Sequence, residues 1–282
     1  MSTTKGILNK LIIITGASDG IGAEAARHLH ILGANVVIVG RSPQKTKQIA
    51  EELKAPYFIA DFSKLDDVRK LADQLRKAYS HIDVLVNNAG GIFGKRELTI
   101  DGHEKTMQVN HLAPFLLTNL LLDTLIQSNA TVISTSSIAN QLFGHLDIQD
   151  IELVKGYSAN KAYGNAKLAN ILFIKELHNR YHDQGINAAS FYPGNVATNF
   201  ASNTSSWLKF VYHSFLRNYI LISPAQAVDT LVWLALSEPG KDWQSGEYYE
   251  KRKIIIANKQ AYDTNLAKTL WEISASITRS KK

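Results

Sequence analysis

Two tyrosine–lysine pairs share one spacing in GYSANKAYGNAKLAN, residues 156–170: Tyr157 with Lys161, and Tyr163 with Lys167. At i and i+4 of a helix two side chains lie on one face, where an ammonium can act on a phenol. A free phenol has a pKa near ~10, too high for efficient proton transfer at neutral pH. A cation beside it favours the phenolate and lowers that value. Either pair is therefore equipped to protonate a carbonyl oxygen or to deprotonate an alcohol. Spacing alone leaves both open.

A proton donor reduces nothing without a source of hydride, and TGASDGIG at 15–22 has the form of a site for one. Glycines at 16, 20 and 22 allow a tight turn, close backbone approach to a pyrophosphate and close packing of the next helix. The helix start turns its free N–H groups toward the anion. The loop stands between a strand-like run, KLIIIT at 10–15, and a helical one, GAEAARHLHILG at 22–33. That is the setting such a loop requires.

The elements that carry these residues alternate regularly. Strand-like runs fall at 10–15, 35–40, 57–61, 82–90, 129–137 and 186–194, with helical patterns between them. The helix at 42–53 opens on Ser42 as N-cap and Pro43 at its first position. The alternation reads as an α/β fold: a single-domain, Rossmann-type, doubly wound parallel β-sheet flanked by helices. No linker, repeat or low-complexity run divides the 282 residues, so one domain is expected over 1–282. Its cofactor-binding part covers about 8–135 and its catalytic and substrate-binding part about 136–282.

Further motifs follow in order: NNAG at 87–90, Asn110 in VNHLAPFLLT, STSSIA at the end of the fifth strand and YPGNVATNF at 192–200. With TGxxxGxG they make the chain resemble the short-chain dehydrogenase/reductase family from about residue 8 to its C-terminus. NNAGG, AYGNAKLANILFIKEL and the ending SGEYYEKRK…NLAKTLWEISASIT look like the retinol-dehydrogenase-like branch. The resemblance implies hydride transfer between a nicotinamide and a small lipophilic aldehyde, ketone or alcohol. It implies four catalytic residues. Tyr163 is the acid/base; Lys167 lowers its pKa and binds the nicotinamide ribose. Ser137 hydrogen-bonds the substrate oxygen, and Asn110 holds a water that relays protons to Lys167. Ser136 alternates to the other face of the strand. The AYGNAKLAN surroundings select Tyr163, leaving Tyr157 and Lys161 as a surface or substrate-rim pair. The implied cofactor contacts begin with Gly16, Ser18, Asp19, Gly20, Ile21 and Gly22, then Asp61 and Phe62 at the adenine. Asn88, Ala89, Gly90, Tyr163 and Lys167 follow, then Pro193, Gly194, Val196 and Thr198.

Cofactor choice turns on the end of the second strand, where an NAD site places an acid for the ribose 2′-hydroxyl. Here the chain reads VGRSPQK: Gly40 takes the acid's place, Arg41 follows, and no acid comes before Glu51. Arg41, helped by Lys45, suits a 2′-phosphate, which its planar fork can grip through two oxygens. NADP(H) is favoured over NAD(H), with Asp19 as the residue that argues the other way.

The remaining features narrow the setting. The absence of cysteine excludes disulfides, thiolate-bound metals and thiol catalysis. His178 and His182, at i and i+4 in HNRYH, lack a Glu in the HExxH position and a third ligand, so no metal site is expected. The net charge of +6 is scattered, which fits a solvated surface better than nucleic-acid binding. MSTTKGILNK has no signal-like apolar core and no run reaches the ~18 residues of a span, so a cytoplasmic protein is expected. Residues 199–222 correspond to the family's lid. Leu208, Val211, Tyr212, Phe215 and Tyr219 share a helical face there, readable first as self-packing, then as a lid, then as shallow membrane contact. A homo-oligomer is compatible with the sequence. The alternative to an enzyme is a non-catalytic dinucleotide-sensing regulator on the same fold, a class that typically loses the Tyr or the Lys.

Overall fold

The computed structural model of the protein describes residues 9–194 and 224–279. Val196, Thr198 and the segment expected as a lid, 199–222, lie outside them.

Short β-branched runs form the sheet. β1 is Leu11–Thr15, β2 Asn35–Gly40, β3 Tyr57–Ile59, β4 Val84–Asn87, β5 Thr131–Thr135 and β6 Asn187–Phe191. β7, Tyr248–Glu250, and β8, Lys253–Ile254, complete it. Among the described residues the strands make one sheet in the order β3-β2-β1-β4-β5-β6-β7-β8. All neighbours are parallel except β7 and β8. Strand order reverses between β1 and β4, the switch point where such sheets open a crevice beyond the strands' carboxyl ends.

The helices are α1 Gly20–Ile31, α2 Pro43–Leu53, α3 Leu65–Ala78, α4 Lys105–Met107, α5 Ala113–Leu120, α6 Leu122–Gln127 and α7 Ala139–Leu142. α8 Ala159–Tyr181, α9 Pro224–Leu236 and α10 Thr264–Arg279 follow. They cover both faces. Ile12 and Ile14 pack with residues of α1, α2 and α9 on one side, and Ile13 packs with α3, α5 and α8 on the other. This is why β1 is apolar at every central position. Truncating one of these fully buried isoleucines to alanine costs roughly 2–5 kcal/mol.

The six expected strands are all present; β1 and β2 end at Thr15 and Gly40 as expected, while β3, β4, β5 and β6 each end sooner than the expected run. β4 stops at Asn87, and NNAG continues as a loop whose polar groups serve the crevice. β7 and β8 are additional. They are short and charged, and their hairpin turn uses Lys251 and Arg252, both at positive φ (49° and 60°). Such turns ordinarily advertise themselves with Asn-Gly or Asp-Gly, so the sequence carries no signal for this one. Ser42 caps α2 as expected, its Oγ accepting from the Lys45 N–H at 3.4 Å, with Pro43 first in the helix.

Candidate active site

A cleft of about 590 Å³ opens at the carboxyl ends of the central strands. Its floor is the turn after β1. Gly16 has φ +67°, and a Cβ there would stand 2.8 Å from Ala89 Cα. The turn is therefore a cradle that any side chain would fill. Asp19 caps α1, Oδ1 accepting from the Gly20 N–H at 2.8 Å. The free N–H groups of this helix end face the cleft as an anion site.

Asn88 stitches the strand ends across the switch point. Its amide donates to Thr15 O (3.0 Å), while its Oδ1 accepts from Thr135 Oγ1 (3.2 Å). Thr15 Oγ1 accepts from the N–H groups of Asn88 (3.0 Å) and Ala89 (3.1 Å). Thr15 and Thr135 thus set the shape of the cradle, although neither stood among the expected contacts; each lies at a strand end within a quoted motif, TGASDGIG and STSSIA. Gly90 is required by close approach: a Cβ would meet Asn110 Oδ1 at 2.4 Å and Lys167 Nζ at 3.3 Å.

Asn110 lies in a single π turn, Gln108–Leu112, of the kind often found at functional sites. Its side chain is fully engaged. Oδ1 accepts from Gly91 N–H (3.1 Å), and Nδ2 donates to Gly91 O (2.9 Å) and Thr106 O (2.8 Å). At i+4 from Asn110 stands Pro114, which has no N–H to offer its carbonyl.

α8 supplies the tyrosine and the lysine. Ser158 caps it, its Oγ accepting from the Lys161 N–H at 3.2 Å. Tyr163 and Lys167 are both buried one turn apart, with Nζ 5.3 Å from the phenol ring centroid. Nζ also donates to Thr135 O at 3.1 Å. Burial pulls the Lys167 pKa down from 10.5 to about 7. Tyr157 differs in kind. It precedes the N-cap, so it does not share a helical face with Lys161, contrary to what the i, i+4 spacing suggested. Its hydroxyl donates to the carbonyls of Phe93 (3.4 Å) and Lys95 (3.3 Å), and burial raises its pKa.

The two serines after β5 also part. Ser136 is buried and its Oγ donates to Lys167 O at 2.8 Å. Ser137 lines the cleft; its Oγ accepts from the Ala139 N–H at 3.2 Å, which leaves the hydroxyl hydrogen available. Asp61, Phe62, Pro193 and Gly194 line the cleft with the glycine turn, NNAG, Ser137, Tyr163 and Lys167. Asn110 stands behind Gly90. Ile92, Phe93, Val109 and Tyr192 are apolar residues that also line the cleft and that sequence reasoning missed. His178 and His182 lie apart from the cleft, rings 4.5 Å apart, with Nδ1 atoms on Ser245 Oγ and Ile186 O.

Arg41 and Lys45, both exposed, also line the cleft. Lys45 Nζ donates to Asp19 Oδ2 at 2.7 Å, and this hydrogen bond holds the Asp19 carboxyl below its usual range. The cradle, the helix end, the Asp61 carboxylate and these exposed cations fit a nicotinamide dinucleotide from phosphates to adenosine.

The comparisons agree with this geometry. A model of the short chain dehydrogenase family matches residues 10–209. A candidate daunorubicin C-13 ketoreductase from Streptomyces sp. (strain C5) is 40% identical, covering 96% of this chain and 93% of its own. Human retinol dehydrogenase 11 is 31% identical, over 98% of this chain and 88% of its own. A candidate short chain dehydrogenase from Shigella flexneri 2a, solved with NADP, superposes with a TM-score of 0.64. It is 26% identical, over 83% of this chain and 94% of its own. The chain belongs to the short-chain dehydrogenase/reductase family, in its retinol-dehydrogenase-like part. It is an oxidoreductase acting on CH–OH donors. No helix among the described residues is long and apolar enough to cross a membrane.

Proposed function

We propose that the protein is an NADP(H)-dependent carbonyl reductase or alcohol dehydrogenase for lipophilic substrates, with Tyr163 as its acid/base. The observation that carries this is the buried ammonium of Lys167 beside the Tyr163 ring, in one cleft with the glycine turn and Ser137. A nicotinamide bound there supplies or accepts the hydride. The chain's own residues manage the proton and the oxygen. Ser137 directs its hydroxyl hydrogen to the substrate oxygen. Tyr163 gives that oxygen a proton in reduction and takes it back in oxidation. Lys167, with little water around it, favours the phenolate by charge and so brings the phenol toward a working pKa. The Asn110 side chain is occupied and its carbonyl lacks a donor at i+4. That carbonyl is the group suited to hold a water for proton exchange with Lys167.

NADP(H) is favoured by the end of β2. A Cβ on Gly40 would stand 2.3 Å from Thr46 Oγ1 and 2.8 Å from Ser18 Cβ. Thr46 is fully buried and its hydroxyl donates to Ser42 O at 2.6 Å, so it has little freedom to yield. The place of an NAD-type acid is thus filled by Thr46 and Ser18, while Arg41 beside it makes no ion pair among the described residues. Asp19, the residue that favours NAD, is occupied by Lys45 and the α1 N-terminus. Lipophilic substrates are favoured by the apolar residues Ile92, Phe93 and Tyr192 lining the cleft and by the names of the relatives, a retinol dehydrogenase and a ketoreductase. The test is a panel of aldehydes, ketones and alcohols followed by nicotinamide absorbance with each cofactor. Turnover with NADPH and apolar carbonyls is expected; no turnover with any of them, or a preference for NADH, contradicts the reading.

A further inference from the structure

Phe93 lines the cleft as part of segment 91–105, held there by Lys105 at the end of that segment and by segment 150–157. Its supports come from outside the loop tip. Lys105, ion-paired to Glu97 at 2.7 Å, stands over the Phe93 ring 5.0 Å from its centroid. The rest come from segment 150–157. The Tyr157 hydroxyl is shared between the carbonyls of Phe93 and Lys95. Arg96 donates to Leu153 O (3.1 Å) and Glu152 O (3.4 Å), and His103 Nδ1 meets Glu152 Oε1 at 2.7 Å. Leu153 takes φ +49° where Arg96 reaches its carbonyl. Three contacts thus form a seam, and the one nearest the ring belongs to Tyr157.

We propose that Tyr157 is a positioning residue for substrate selection: by pinning the Phe93 carbonyl it fixes the aromatic wall against which a bulky, flat apolar substrate lies. This rests on the oxidoreductase reading above. A small carbonyl compound reaches Ser137 and Tyr163 without leaning on the wall, so the two substrate sizes respond differently to its loosening. Tyr157→Phe keeps the ring and removes only the hydroxyl. Losing such a hydrogen bond corresponds to roughly a 2- to 10-fold change in an equilibrium.

The experiment compares 2-naphthaldehyde with propanal. Tyr157→Phe raises KM for naphthaldehyde by about that factor, lowers its kcat less, and moves the propanal parameters least. Phe93→Ala lowers the naphthaldehyde preference by itself, and adding Tyr157→Phe to it changes the preference no further, because the wall is already gone. Arg96→Gln shifts the preference in the same direction as Tyr157→Phe. Hydrogen exchange supplies a readout independent of turnover: amides of 91–96 exchange faster in Tyr157→Phe while those of β1 and β4 do not. Equal KM changes for both aldehydes, additive effects with Phe93→Ala, or unchanged exchange at 91–96 overturns the proposal. A wild type inactive on every carbonyl probe overturns the oxidoreductase reading instead, and the exchange result then decides the positioning role by itself.

Discussion

Six residues separate Tyr157 from Tyr163, and a helix start lies between them. At Ser158 the backbone is extended, and Tyr157 just before it points its hydroxyl back to a loop. After it, α8 has begun, and Tyr163 and Lys167 fall one turn apart on a buried face. Lys161 belongs to the first turn and keeps solvent contact, while Lys167 has lost it and titrates near 7. The same spacing gives a phenol tied to a loop in one case and a phenol beside a buried amine in the other. What divides them is a single N-cap, together with the depth to which the helix is buried afterwards.

Replacing the buried cation breaks the comparison most severely. Lys167→Met should lower turnover by roughly 10²–10⁴, the range for positioned acid–base catalysis. It should also stabilise the cofactor-free protein. The Lys167 pKa falls from 10.5 to about 7 on folding. Between those values the unfolded chain holds a proton that the native protein lacks, so wild-type stability rises with pH across that window. Below pH 7 both states are protonated and the full cost of burial is present. The variant's advantage, on the order of 1 kcal/mol or more, should be largest at pH 6 and fade toward pH 10.5. Thr135 O keeps a donor in the variant, the Asn170 amide at 3.2 Å. Thermal unfolding at several pH values measures this; a destabilised variant at pH 6 contradicts it.

At Arg41 the expected effect is intermediate. A hydrogen bond to a charged group contributes roughly 1.5–3 kcal/mol, or about 10- to 100-fold. Arg41→Ala should weaken NADPH by that factor and leave NADH nearly unchanged, measured as kcat/KM with each. Added salt should erode the wild-type preference, because the contact is exposed. Gly40→Asp should lose NADPH without gaining NADH, since the new Cβ meets Thr46 and Ser18. An efficient NADH enzyme from that single change sinks the steric account. Equal loss of both cofactors in Arg41→Ala moves the ribose contact to Asp19.

The smallest effect belongs to the outer lysine. Lys161→Gln should change kcat/KM by less than about twofold, as for most surface substitutions away from special features. A large loss there would erase the distinction between the pairs.

Much of this was legible in the chain. TGASDGIG, NNAG and STSSIA lie where strands end, so reading the strands places them at one edge of the sheet. Ser42 and Pro43 mark α2 because capping is local chemistry. What stayed hidden depends on contacts between distant segments. The π turn at Asn110 has no signature beyond Pro114. Phe93 follows NNAGG with nothing to show that Lys105 and Tyr157 hold it over the cleft. The exclusion of an acid at Gly40 rests on Thr46, six residues on and one helix away. Tyr157 read as Lys161's helical partner because i, i+4 spacing presumes a helix that Ser158 had not yet started.

The central claim is that Tyr163, and not Tyr157, moves the proton. Tyr163→Phe and Tyr157→Phe each remove one hydroxyl from rings of equal size, so turnover of a small aldehyde with NADPH compares them directly. Tyr163→Phe should retain NADPH binding and lose roughly 10²–10⁴ in kcat, while Tyr157→Phe retains most of it. An inactive Tyr157→Phe beside an active Tyr163→Phe would contradict the account.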